Sequence, residues 1–453
     1  MGLLVTGHVA LLALEARGDS ATWDEVGHLA AGLENWRHGT FRIYSVNPPL
    51  AHLVAAAPVA LLAPDLDPTA YGLPDGPGAR PEFTVGSFLA RQAGLAYFPL
   101  LASARWMCIP FSLLGALICY RWSAELFGTH AGLLALALWC LSPTILAYGH
   151  LITPDMAAAG CGVAAAYLLR GWLHAPTWGR AAGAGALLGL AELTKSTWFV
   201  LFALWPITWI VYRLVERPTQ LRRKLVGQAA QMGGILFLAL WILNAGYGFE
   251  GSFERLGDFR FVSVTLRGTD RDEVAPGGMH VGNRFARGPL RDVRVPLPEN
   301  YVLGIDFIKM EYERKYWSYL RGKWRFGGWW YYYLYAMLVK EPLGTWGLAL
   351  LAAGAVVVCH RTYGAPAQEE LLLLLPLIVV LVLVSSQTGF NHHLRYVLPI
   401  YPFAFILIAR VGRAFEGRHR GAASGGGSGR LRNARVVNDE QRVGAATQHG
   451  IFQ

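Results

Sequence analysis

In a chain of 453 residues, 54% hydrophobic and 15% charged, a mean hydropathy of +0.33 excludes an ordinary soluble domain and identifies a polytopic membrane protein. The formal net charge of +10 does not imply a nucleic-acid partner, because the Lys and Arg residues sit in short clusters between apolar runs, as cytoplasmic loops do. Cys108, Cys119, Cys140, Cys161 and Cys359 lie inside or at the ends of apolar runs without CxxC spacing, which argues for packing roles and against a disulfide framework or a zinc site.

The first apolar run, Gly2 to Leu14, lacks the basic start and small-residue cleavage site of a signal peptide, and is shorter than the roughly 17 residues of a spanning helix. Further runs follow at Trp106 to Phe127, Ala131 to Tyr148, Met156 to Leu173, Ala181 to Leu193, Trp198 to Leu214, Val226 to Tyr247, Leu343 to Val358, Leu371 to Ser385 and Leu394 to Ala409. With the first helix they predict about ten spans. Arg121, Arg170 with Arg180, Arg213 to Lys224, His360-Arg361 and Arg410 onward fall on alternate loops, which the positive-inside rule makes cytoplasmic.

Three segments depart from simple spans. The proline-interrupted stretch 48–63 is expected on the outer interface or re-entrant, within an outer loop over 15–104. A large outer loop is expected over 248–328, and the aromatic run Trp329 to Tyr333 after it belongs at the interface, where Trp and Tyr concentrate. Residues 412–453, rich in Gly, Ser and Arg, read as a disordered basic cytoplasmic tail beyond a transmembrane domain over 1–411.

The same parity places Asp24-Glu25, Asp155, Lys195, the outer loop and Asn391 to Arg395 on the opposite face, so the reactive candidates converge on one side. Adjacent carboxylates at a membrane boundary are costly and point to function; a carboxylate there can take a proton from a hydroxyl, while the same pair would equally cap the helix beginning near Val26. Asp155 follows Thr153-Pro154, itself a helix-start signal. Lys195 either snorkels to the interface or neutralises a lipid phosphate. Arg395 runs against the positive-inside rule, as does Arg105, and both read as anion contacts. Adjacent His392 and His393 lack a third ligand at convincing spacing, so a hydrogen-bonding role outranks a metal. No Gly-rich phosphate loop, GxSxG, HExxH or CxxC is present, which removes nucleotide hydrolysis, serine hydrolase and zinc peptidase chemistry.

Trp23-Asp24-Glu25, Asn47-Pro48-Pro49-Leu50, Gly149-His150 through Asp155-Met156, Leu190 to Lys195, Lys340-Glu341-Pro342-Leu343 and Arg395 to Pro402 occur in an order that resembles the polytopic glycosyltransferases of the GT-C fold. Within these the chain is similar to the protein O-mannosyltransferases and the lipid A aminoarabinose transferases, from Asp24 to about Pro402. The resemblance implies an all-α integral membrane bundle and an inverting enzyme of the inner (plasma) membrane. Its donor would be a polyprenyl-phosphate-linked sugar and its acceptor a protein hydroxyl or a glycolipid, on the extracytoplasmic face. It makes Asp24 the catalytic base and Glu25 its supporting neighbour, and matches Asp155, Lys195 and Arg395 to substrate- or phosphate-binding positions; beside these, Arg105 and His392 are expected to bind substrate or phosphate, and His28, Asn47 and Lys340 to serve acceptor or loop geometry. No cofactor is implied, and a divalent cation is left open. The lectin module of eukaryotic mannosyltransferases is absent. The rival class, a transporter or lipid-carrier flippase, predicts charges distributed through the depth of the spans and repeated halves, and the sequence has neither.

Overall fold

The computed structural model describes residues 1–63, 65–67, 76–216, 221–268, 273–275 and 279–416. The expected tail, 412–453, lies outside the described residues from 417 onward. A compact unit covers Met1–Arg413, and of the second, Ala414–Gln453, only the first three residues are described.

The chain is helical. In order come α1 (Gly2–Gly18), α2 (Trp23–His38), α3 (Leu50–Leu62), α4 (Pro81–Ala93), α5 (Tyr97–Trp106), α6 (Ile109–Phe127), α7 (Thr129–Leu141), α8 (Pro143–Gly149), α9 (Pro154–His174) and α10 (Trp178–Glu192). Then follow α11 (Leu201–Glu216), α12 (Leu221–Gly246), the short α13 (Val264–Arg267), α14 (Glu299–Glu313), α15 (Tyr332–Lys340), α16 (Leu343–Val358), α17 (His360–Tyr363), α18 (Ala367–Ser386) and α19 (Tyr401–Ile408). Two antiparallel hairpins, β1 (Glu273–Val274) with β2 (His280–Val281) and β3 (Trp317–Leu320) with β4 (Lys323–Phe326), complete the described elements.

Among the described residues six helices are long and apolar enough to cross a membrane, or up to eight if each of two bent pairs is one span, so the expected count of about ten is not confirmed. The difference lies in length: α1 has 17 residues and α10 has 15. The run Ala131 to Tyr148 is also not one straight span. Ser142 caps a new helix by accepting from the Ile145 amide, Pro143 removes an intrahelical donor, and α7 meets α8 at 58°.

The main core is a helical bundle centred on α9, whose Ala-Ala-Ala-Gly-Cys-Gly-Val run is buried on every side. Small residues let neighbours approach closely there: a Cβ at Gly160 would lie 2.3 Å from the Phe111 carbonyl oxygen. Buried Trp122, Trp139, Trp172 and Trp198 fill the remaining volume.

A second core joins α2 to α5 on the side that carries the acidic pair. Helix α2 starts where the Thr22 amide donates to Glu25 at 2.9 Å, and ends at Gly39, which adopts φ 64°. It is clamped between α3 and α4, since a Cβ at Gly32 or at Gly86 would lie 2.2 Å from the carbonyl oxygen of His52 or of Val26. That packing fixes the rotation of α2, and with it which of its first-turn carboxylates faces inward.

Candidate active site

Asp24 and Glu25 are consecutive on α2, so their side chains point about 100° apart. Glu25 turns into the second core, with 0% exposure, and meets Arg105 from α5. Arg105 Nε donates to Glu25 Oε1 at 2.8 Å and Nη2 to Oε2 at 2.7 Å, while the remaining guanidinium hydrogens go to the carbonyls of Ala16, Asp19 and Ser20. The carboxylate also accepts from the amides of Thr22 and Ile152. Burial pushes the Glu25 carboxyl up, but Arg105 and these amides bring it below its ordinary value. Neither residue lines the cavity described next. Arg105, expected to bind substrate or phosphate, and Glu25, expected to support geometry beside Asp24, form a closed pair away from that cavity.

Asp24 faces a cavity of about 740 Å³, a volume suited to a small-molecule site. Its side chain keeps 32% exposure and accepts from Arg395. Arg395 enters from the turn Leu394–Ile400 and also lies 3.5 Å from Asp155, the second residue of α9. Lys195, between α10 and the turn Ser196–Val200, donates to Asp155 at 2.6 Å and lies 5.3 Å from the centre of the Tyr396 ring. Four charges from four separate segments therefore alternate in sign along one wall: Asp24, Arg395, Asp155, Lys195. Burial raises the Asp24 carboxyl and Arg395 more than reverses this, so it stays below the ordinary carboxylate range.

Asp155 was expected to bind substrate or phosphate. A carboxylate repels phosphate, and its geometry instead makes it the holder of Lys195 and Arg395. His28, one turn beyond Asp24, is 4% exposed and lines the cavity, its Nδ1 without a hydrogen-bond partner among the described residues. Burial drives it down to about 4 against the opposing pull of Asp24, so the imidazole is neutral. Asn47 lines the cavity and donates to the Tyr44 hydroxyl; His392 lines it too, with Nε2 3.3 Å from the Trp317 carbonyl. Lys340 does not reach it, lying exposed at the end of α15. In that motif the buried residue is Glu341, which accepts from Thr144.

Sequence reasoning missed Arg80. It lines the cavity between the Phe83 and Phe307 rings, 4.8 and 5.2 Å from their centres, and pairs with Glu82 and Glu311. The rule that singled out Arg395, a cation on the wrong side of the charge pattern, applies equally to Arg80. Apolar side chains line it as well: Phe199 and Val200 before α11, and Leu383 and Val384 of α18. Among the described residues no group of three or more His, Cys, Asp or Glu is placed to hold a metal ion. Asp24 and Asp155 are already matched by two side-chain cations, a poor fit to a divalent ion.

This arrangement, a carboxylate in the first turn of α2 meeting a cation from a late candidate span, sits on a fold that can be placed by comparison. The chain is a multi-pass membrane protein with the GT-C fold, and it resembles the protein mannosyltransferase and ArnT glycosyltransferases. The sequence model for dolichyl-phosphate-mannose-protein mannosyltransferase matches residues 95–245. Among solved structures, ArnT from Cupriavidus metallidurans in the apo state superposes with a TM-score of 0.53 at 16% identity, covering 93% of this chain and 62% of that one. ArnT from the same organism bound to undecaprenyl phosphate gives 0.49 at 18% identity with the same coverage. This chain thus spans less than two thirds of the solved chains it is similar to. No curated protein matches it.

Proposed function

We propose that the protein is an integral membrane glycosyltransferase. It moves a sugar from a polyprenyl-phosphate-linked donor to a protein hydroxyl or a glycolipid, on the extracytoplasmic face, with inversion and with Asp24 as base. One observation carries this reading: two carboxylates and two cations meet at a cavity that apolar side chains of two candidate spanning helices also line. The apolar lining suits a lipid tail entering between α11 and α18. The charged lining suits a phosphate and a sugar.

In this mechanism the acceptor oxygen attacks the anomeric carbon from the face opposite the phosphate. The bond from that carbon to the phosphate oxygen breaks, its electron pair leaves with the polyprenyl phosphate, and the hydroxyl proton passes to Asp24. Lys195 and Arg395, held by Asp155, stabilise the charge that develops on the leaving group, usually the largest catalytic contribution. The Asp24–Arg395 pair restrains the base at rest, because a cation-bound carboxylate is a weak proton acceptor. An arriving phosphate competes for the same guanidinium, so donor binding raises the basicity of Asp24 when the acceptor needs it.

The test is to supply the purified full chain, in vesicles, with a panel of polyprenyl-phosphate sugars plus peptide or glycolipid acceptors, and to follow release of polyprenyl phosphate. Release from one donor class, lost in Asp24→Asn, is expected. Movement of intact donor across the bilayer without release would overturn the proposal in favour of a flippase.

A further inference from the structure

From Arg314 through Lys340 the sequence holds six Lys or Arg, eleven aromatic residues and no Asp or Glu. This composition fits neither a protein core nor an ordinary solvated loop. Its first half is the hairpin β3–β4, closed by Arg321 and Gly322, whose φ values of 53° and 77° are those of a type I′ turn matched to strand twist. In this register Trp317 pairs with Phe326 and Tyr319 with Trp324, so all four rings occupy one face, and each is more than half exposed. Ser318 and Leu320, on the other face, are buried. A lone two-stranded hairpin displaying four aromatic rings to water would be marginally stable, so something covers them.

Two features specify the cover. Lys315, Arg321, Lys323 and Arg325 rim the hairpin, all exposed, and among the described residues none pairs with a carboxylate. The hairpin also adjoins the membrane boundary: Arg321 lies 5.6 Å from the centre of the Tyr335 ring on α15, and α15 turns through 112° into the apolar α16. With α16 directed into the bilayer, that turn lays α15 and the hairpin beside it along the surface. Amphipathic rings and unpaired cations at that depth match phospholipid headgroups, with the rings at the glycerol level and the cations on phosphates.

We propose that the β3–β4 hairpin is a membrane-docking element that seats its aromatic face on anionic phospholipid headgroups. The seat has a structural link to the cavity. The Tyr316 amide donates to the Gly389 carbonyl at 3.0 Å, the Gly328 amide to the Thr388 carbonyl at 2.7 Å, and the Asn391 amide to Ser318 Oγ at 2.8 Å. The strap 388–391 thus hangs from the hairpin and leads directly to His392 and Arg395. This inference rests on the membrane-spanning fold and stands whether or not the chain transfers sugars.

The experiment uses the full chain with Cys359→Ser, since the other four cysteines are buried, and a polarity-sensitive label on Tyr319→Cys or, separately, Trp324→Cys. The labelled protein is reconstituted in vesicles of phosphatidylcholine with or without phosphatidylglycerol. In the anionic vesicles a headgroup-nitroxide lipid should quench both labels several-fold more than acrylamide does, and the combined change of Lys315, Lys323 and Arg325 to Gln should reverse that preference. A label on Val293→Cys, exposed on the outer loop, should stay open to acrylamide throughout. Labels at 319 and 324 that acrylamide reaches freely in both compositions would overturn the proposal. So would labels that become covered only when a peptide or glycan acceptor is added, which would assign the face to a macromolecular partner.

Discussion

Asp24 and Glu25 are neighbours on one helix, each bound to an arginine distant in sequence, yet the two pairs have opposite characters. In the Glu25–Arg105 pair the guanidinium and the carboxylate are saturated by each other and by backbone groups, and no water reaches them. In the Asp24–Arg395 pair the carboxylate is a third exposed, and Arg395 Nε is buried, 3.5 Å from Asp155 and without a hydrogen bond among the described residues. The lesson is that the same chemical pairing fixes a fold where every donor is spent and offers a site where donors remain. The side of α2 on which each residue falls decides between them.

The sharpest way to break this comparison is to neutralise each carboxylate in turn. Asp24→Asn should lower polyprenyl-phosphate release by about 10²- to 10⁴-fold with little change in melting temperature. Glu25→Gln should do the converse, destabilising the protein by about 3–5 kcal/mol because it leaves a buried guanidinium uncompensated, and Glu25→Gln with Arg105→Met should recover much of the loss. Thermal melts beside turnover assays separate the two. Equal destabilisation by both single variants would erase the distinction.

A smaller effect concerns pH. His28 is held neutral, its proton affinity lowered to about 4. Between its unfolded value and that point the unfolded chain binds the extra proton, so stability is full above about pH 6.5 and falls on the order of 3 kcal/mol as pH drops towards 4. His28→Gln should flatten that slope in melts from pH 7 to 4. Smallest is Asp155→Asn, which keeps Asp24 but loosens Lys195 and Arg395. An apparent donor affinity weaker by about ten-fold, with acceptor KM unchanged, is the expected result, in keeping with the loss of one charged hydrogen bond.

Much of this was legible in the residues. Apolar runs located the spans, and loop parity placed Asp24, Asp155, Lys195 and Arg395 on one face before any contact was known. Hydropathy could not resolve where a run breaks, as at Ser142-Pro143. Arg105 and Arg395 break the charge pattern equally; which one is consumed internally depends on α2 being pinned by Gly32 and Gly86, a packing fact with no sequence signature. Arg80 carried the same signal and went unread. The β3–β4 hairpin was hidden because its outward face is aromatic, which blurs the alternation that marks a half-buried strand.

The bond between Asp24 and Arg395 joins positions 371 residues apart, and Arg395 lies in the last candidate span among the described residues. A ribosome adding residues at typical rates needs on the order of tens of seconds to cover that distance. Until the segment that carries Arg395 emerges, the growing chain therefore holds Asp24 without its counter-cation, and the pair closes only when that segment inserts. A product that stops short of that segment would leave the Asp24 carboxylate unmatched, so this ion pair forms late in synthesis whatever the order in which the earlier helices pack.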